Sequence, residues 1–206
     1  MSLPILYSFR RCPYAMRARM GLIVSGTGCD LREVVLRAKP PELIAASPKA
    51  TVPVLVLPNG RVIAQSLDIL RWALDVHDPE DWRARDDPAL IASNDDAFKH
   101  HLDRYKYPDR HNSDPREHRA AALTLLAPLE ERLAIHANLC GAVRGLADIA
   151  TFPFVRQFAA VEPDWFAEQP IPRVRAWLAG HLASALFLQA MIRRTPWRAG
   201  DAAVYL

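Results

Sequence analysis

Cysteine is scarce in this chain, with three among 206 residues, at positions 12, 29 and 140. An odd count without a C-x-x-C pair suits a reducing compartment better than a disulfide framework, and each thiol has to be judged singly. Glycine is scarce as well, at eight residues. Gly26-Thr27-Gly28 lacks the third glycine of a dinucleotide-binding turn, and no G-x-x-x-x-G-K-[ST] loop occurs, so nucleotide binding is disfavoured. No apolar run approaches bilayer-spanning length, and the start has no small-residue cleavage pattern before Arg10 and Arg11. No membrane partner is therefore expected, and a cytoplasmic location is. Net charge is only +3, from 26 basic and 23 acidic residues interspersed along the chain, which provides no field for nucleic acid. His100 and His101 are adjacent, but neighbours on a helix point about 100° apart, and with no H-E-x-x-H or Cys-His cluster no metal is predicted. Half of the residues are apolar, enough for one large core or two small ones, which argues against disorder.

The apolar residues fall in two regimes. Residues 3–9 form a short run rich in strand formers, and the stretch from Pro13 has the apolar spacing of an amphipathic helix ended by Gly26 and Gly28. A second strand over 31–36 completes a β-α-β crossover, and Pro41 to Ala46 forms a short helix. Residues 52–57 and 61–64 read as a hairpin across Asn59-Gly60, with positive φ expected at the turn, and Ser66 caps a helix with a broad apolar face. The order is βαβαββα over residues 1–77. Composition shifts at 78–87, a linker dense in charge and proline. Beyond it strand signals vanish, and 88–206 reads as an all-helical domain with segments near 88–107, 115–138, 146–160, 172–181 and 184–194.

Chemistry concentrates at Cys12. It precedes Pro13, a residue suited to the first helical position, so Cys12 is the expected N-cap of the first helix. Unpaired amides there, with Arg10, Arg11 and Arg17 nearby, favour a thiolate and draw the thiol pKa from about 8.5 toward roughly 3.5–7.5. Position 15 is alanine, so no resolving cysteine stands at the redox-motif spacing, and an external thiol has to resolve any mixed disulfide. Cys29 and Cys140 read as small buried or half-buried residues. Tyr7 lies inside the first strand and reads as a packed ring without a catalytic role.

The run Tyr7-Ser8-Phe9-Arg10-Arg11-Cys12-Pro13-Tyr14-Ala15-Met16-Arg17-Ala18-Arg19 resembles the opening of cysteine-type glutathione transferases, most closely the omega class. Lys39-Pro40, Val52-Pro53 and Gln65-Ser66 fall at that class's separations from the cysteine, and Gly145 to Phe158 resembles the family's buried helix. The resemblance implies a thioredoxin-like domain followed by an all-helical one, glutathione as co-substrate, and a homodimer. It also implies a cis Val52-Pro53 bond that leaves the Val52 amide and carbonyl free to pair with a peptide, Ser66 with helix amides for the γ-glutamyl carboxylate, and Lys39 for the glycyl carboxylate. Gln65 stands where the omega pattern has an acid, so the ligand's ammonium needs another carboxylate, for which Asp95 and Asp96 are candidates.

Three functions follow as expectations. In the first, Cys12 attacks a disulfide or small electrophile and bound glutathione resolves it. In the second, glutathione itself is conjugated to small electrophiles and Cys12 only tunes the site. The third is a non-catalytic regulatory binding protein with this fold. The acceptor is expected to be a small hydrophobic molecule or a disulfide. Phe98, His101, Leu102 and Tyr105 share a helical face that lines an acceptor pocket or packs into the core. Gly145 and Asp148 read as a helix start in which Asp148 turns back to the Gly145 amide.

Overall fold

The structure is a computed structural model and describes residues 3–206. In chain order the elements begin with β1 (Ile5–Ser8), α1 (Pro13–Val24), β2 (Asp30–Glu33), α2 (Pro41–Ala46), β3 (Val54–Val56), β4 (Val62–Ile63) and α3 (Ser66–Val76). A 3-10 turn at Trp82–Arg85 leads to α4 (Pro88–Ser93), and a π turn at Asn94–Phe98 joins α4 to α5 (Lys99–Lys106). There follow α6 (Pro108–His111), α7 (Pro115–Thr124), α8 (Ala127–Arg132), α9 (Leu146–Ala159), α10 (Pro163–Ala167), α11 (Pro172–Ala183) and α12 (Ala185–Ala190). The chain divides into two compact units, Met1–Glu80 with Ser184–Leu206, and Asp81–Ala183.

The first unit has the βαβαββα order of a thioredoxin-like domain. Its four-stranded mixed sheet runs β2-β1-β3-β4, with β1 and β2 parallel and the other pairs antiparallel. Leu6 and Leu55 pair across β1 and β3 and are buried with Leu22, Leu31, Ile63 and Ile69; each such side chain contributes about 1.5–3 kcal/mol of transfer free energy. The sequence reads α1 as amphipathic, yet it is buried nearly all round, because both α3 and α12 pack on it. α3 comes close at Gly21, where a Cβ would lie 2.5 Å from Leu70 Cδ1. In the hairpin only Gly60 takes positive φ (83°), while Asn59 accepts the Arg61 amide through its side chain.

The last segment returns to this unit rather than staying with the helical one. Tyr205 bridges Asp30 in antiparallel fashion, the Leu31 amide donates to the Val204 carbonyl at 2.7 Å, and the Trp197 amide donates to the Glu33 carbonyl at 2.8 Å. The tail thereby occupies the otherwise open edge of β2, a backbone demand that carries no side-chain periodicity.

The second unit is all helical. Where the sequence expects one helix over 115–138, two are found: α7 stops at Thr124 and α8 starts at Ala127, because Pro128 has no amide to continue the ladder. Phe98, Leu102 and Tyr105 pack into the core, with Phe98 and Tyr105 edge-on to Phe158 at 5.5 and 5.4 Å, and His101 is half-buried. The shared face is thus largely core. At the start of α9, buried Asp148 accepts from the Gly145 amide at 2.9 Å, the Leu139 amide at 2.9 Å and Trp177 Nε1 at 2.8 Å. Glycine stands at 145 for a steric reason: a Cβ there would lie 2.3 Å from Arg85 Cβ and 2.8 Å from the Arg85 carbonyl oxygen. Gly145→Ser is therefore expected to destabilise by roughly 1–3 kcal/mol, although serine is the better N-cap residue in general. Urea unfolding that showed a gain in stability would contradict this packing.

Candidate functional site

Cys12 is the N-cap of α1, in extended conformation (φ −74°, ψ 123°), and its carbonyl accepts the Met16 amide at 2.9 Å. Its amide donates to the Phe9 carbonyl at 3.0 Å, closing the turn that brings β1 into α1. The same turn is held from two further sides. The Arg10 amide donates to Glu33 Oε1 at 2.7 Å, and the buried Arg19 guanidinium donates to the carbonyls of Phe9 and Arg10. Burial pulls the Arg19 pKa down to about 10, with Glu33 and then Cys12 opposing that fall, so the guanidinium is charged at neutral pH and lies within electrostatic reach of the thiol.

The Val52–Pro53 peptide is cis, and β3 starts only at Val54. Cys12 Sγ lies 3.7 Å from the Val52 carbonyl oxygen, a distance suited to a thiol donor. That carbonyl is therefore already engaged by Cys12, whereas the Val52 amide has no backbone partner among the described residues. Beside this contact a cavity of about 470 Å³ opens within the first unit. Lys39, Val52, Pro53, Gln65 and Ser66, all anticipated from sequence, line it together. Cys12 itself stands at its margin, joined to it through Val52.

Ser66 departs from the expected detail. The N-cap of α3 is Gln65, and Ser66 is the first helical residue, buried, with its Oγ accepting from Arg17 Nη1 at 3.4 Å. Arg17 is itself fully buried on α1, with its guanidinium 5.8 Å from the centre of the Tyr14 ring. A serine oxygen that accepts from a guanidinium keeps its own proton to donate, and the first-turn amides of α3 lack intrahelical partners, so this corner favours a carboxylate. Sequence reasoning missed the other five lining residues, Tyr14, Leu36, Ala50, Thr51 and Ala64. Ala50 takes a left-handed conformation (φ 48°), which costs of order 1 kcal/mol in a residue with a Cβ. No motif marks that position.

None of the ten residues lining the cavity is acidic. Asp95 and Asp96 belong to the other unit, where Asp95 accepts from Asn94 Nδ2 at 2.8 Å. Tyr7 is buried, and its hydroxyl oxygen accepts from Arg32 Nη1 at 3.0 Å, consistent with a packed ring. Burial drives the Cys29 thiol up to about 12 and raises that of Cys140. Iodoacetamide at neutral pH should thus modify one thiol, Cys12, in the folded protein, as read by intact mass and peptide mapping; rapid labelling of Cys29 or Cys140 would contradict this ranking.

A thioredoxin-like sheet, a cis-proline turn and a cysteine at a helix start make up the first unit, and the second is all helical. Family comparison supplies the rest. Residues 6–81 match the glutathione S-transferase N-terminal domain, and residues 80–180 match the glutathione S-transferase C-terminal domain. The "Probable glutathione transferase" of Aplysia californica is 33% identical over 92 residues, covering 45% of this chain and 97% of that protein. The "Probable glutathione S-transferase parA" of Nicotiana tabacum is 26% identical over 182 residues, covering 84% and 82%. A Burkholderia graminis glutathione transferase, solved with two glutathione molecules per subunit, superimposes with a TM-score of 0.74 at 22% identity, covering 92% of this chain and 88% of that one. The chain belongs to the glutathione transferase family.

Proposed function

We propose that the protein is a cysteine-type glutathione transferase, of the omega kind, that performs glutathione-dependent thiol transfer. The observation that carries this reading is the 3.7 Å approach of Cys12 Sγ to the Val52 carbonyl at the margin of a cavity lined by Lys39, Val52, Pro53, Gln65 and Ser66. In the first step the Cys12 thiolate attacks the glutathione sulfur of a mixed disulfide, forming Cys12–S–S–glutathione and releasing the acceptor as a thiolate. In the second, a glutathione thiolate attacks that bond, giving glutathione disulfide and restoring Cys12. One glutathione thiol is oxidised, the mixed disulfide is reduced to the acceptor thiol, and the glutathione it carried leaves in glutathione disulfide. Bound glutathione rests its γ-glutamyl carboxylate on Ser66 and the α3 amides, pairs its backbone with the Val52 amide, and places its glycyl carboxylate near Lys39.

The acceptor in this reading is a small hydrophobic molecule or disulfide, and the working form is a cytoplasmic homodimer. The test is intact mass after exposure to glutathione disulfide. One glutathionyl group should appear, located on Cys12, and should be removed by added glutathione. An unmodified Cys12, with turnover persisting, would leave conjugation by bound glutathione as the surviving enzymatic reading.

A further inference from the structure

Away from this cavity, the second unit gathers three histidines that the reaction does not use. His100 and His101 lie on α5 and His118 on α7. His101 Nδ1 and His118 Nδ1 are 2.8 Å apart, and the His100 ring centre lies 5.0 Å from that of His101 and 5.9 Å from that of His118. One ring nitrogen from each residue falls within 4.8 Å of the other two. Adjacency on α5 argues against a shared ligand only if the pair stands alone; the fold supplies the third ring from a helix remote in sequence.

We propose that His100, His101 and His118 form a binding site for a borderline divalent transition metal, with zinc as the reference ion. The donor set selects the class. Three imidazoles and no carboxylate suit Zn²⁺, Cu²⁺ or Ni²⁺ and not Mg²⁺ or Ca²⁺, which require oxygen ligands. The dimensions are close to what zinc needs. Zn–N bonds of roughly 2.0–2.1 Å at tetrahedral angles set N···N near 3.3 Å, so His101 and His118 open by about half an ångström and the exposed His100 side chain swings inward. Their present contact supports this, because two Nδ1 atoms at 2.8 Å must share one proton, which a metal replaces. Arg104 is the opposing group: its Nη1 lies 3.0 Å from His100 Nδ1, and an incoming cation has to displace it. A metal held by both helices would tie α5 to α7. The site is independent of the thiol chemistry, so either assignment can fail without the other.

The test uses the full chain with Cys12 alkylated, so that its thiolate does not compete for the ion. Zn²⁺ is titrated against a chromophoric chelator, comparing the unsubstituted chain with His118→Gln and His100→Gln, each shown to be folded by its metal-free thermal melt. The expected result is about one equivalent of zinc, weakened at least about tenfold in each variant, with a zinc-dependent rise in melting temperature that the variants lose. His100 is exposed, so His100→Gln keeps the test decisive if His118→Gln does not fold. The proposal is overturned if zinc binds in less than a quarter of the molecules at roughly micromolar free ion, or if either folded variant binds it as tightly as the unsubstituted chain.

Discussion

Replacing Cys12 with serine is expected to reduce glutathione-dependent disulfide exchange by roughly three orders of magnitude or more, because the hydroxyl is a far weaker nucleophile and no second thiol can take over. Cys29 is fully buried and its thiol is pushed up to about 12, and burial raises that of Cys140. Affinity for glutathione should change by no more than about threefold, since Cys12 does not line the cavity. The conjugation reading predicts the opposite pattern: serine at position 12 preserves or raises conjugation to small electrophiles. Measuring both activities and the glutathione affinity on one preparation of Cys12→Ser separates the readings, and a variant that kept full exchange would remove Cys12 from the mechanism.

Ser66 provides the contrast. Ser66→Ala removes the hydroxyl that Arg17 holds in place, and its loss should appear in glutathione binding before chemistry. An effect of roughly tenfold on the glutathione KM with little change in kcat is expected, the size of one hydrogen bond to a charged group. A fall confined to kcat would move Ser66 from binding to the chemical step.

What the sequence made legible was the part of the fold governed by local rules. Pro13 after Cys12 announced a helix start, Asn59-Gly60 announced the hairpin, and loss of alternating apolar residues beyond the linker announced the all-helical unit. The family resemblance named Lys39, Val52, Pro53, Gln65 and Ser66, and these five line one cavity. What stayed hidden depends on partners distant in the chain. The tail pairs with β2 through backbone bonds, a Val204 amide to Asp30 Oδ1 contact at 3.1 Å and the Trp197 ring 4.2 Å from the Arg32 guanidinium, partners too far apart in the chain for any local pattern to join them. Gly145 looks like a weakened cap until Arg85 is seen against it. His118 is one histidine among seven until α7 brings it beside His101.

Arg19 ties these levels together, and its replacement is expected to have the largest effect on stability. It is fully buried on α1, a residue that sequence reading named only as the end of the run resembling cysteine-type transferases. Its Nε donates to the Ala190 carbonyl at 2.8 Å, one terminal nitrogen reaches Ser8 Oγ, and the other donates to the Arg10 carbonyl at 2.7 Å. A single guanidinium therefore links the end of β1, the turn carrying Cys12 and the end of α12, all within the first unit. Methionine would fill much of the volume but leave these acceptors buried without donors, and the expected cost is about 3–5 kcal/mol, a large share of the stability of an ordinary domain. Lysine should recover only part, because a compact ammonium cannot match the planar fork that serves three directions at once. Urea unfolding of Arg19→Met and Arg19→Lys checks the ranking. Activity adds an independent reading: in molecules that remain folded, loss of the Arg10 contact frees the turn behind Cys12, so exchange should fall further than the folded fraction does. If exchange tracked the folded fraction one for one, Arg19 would be a structural brace alone, with no part in positioning the thiol.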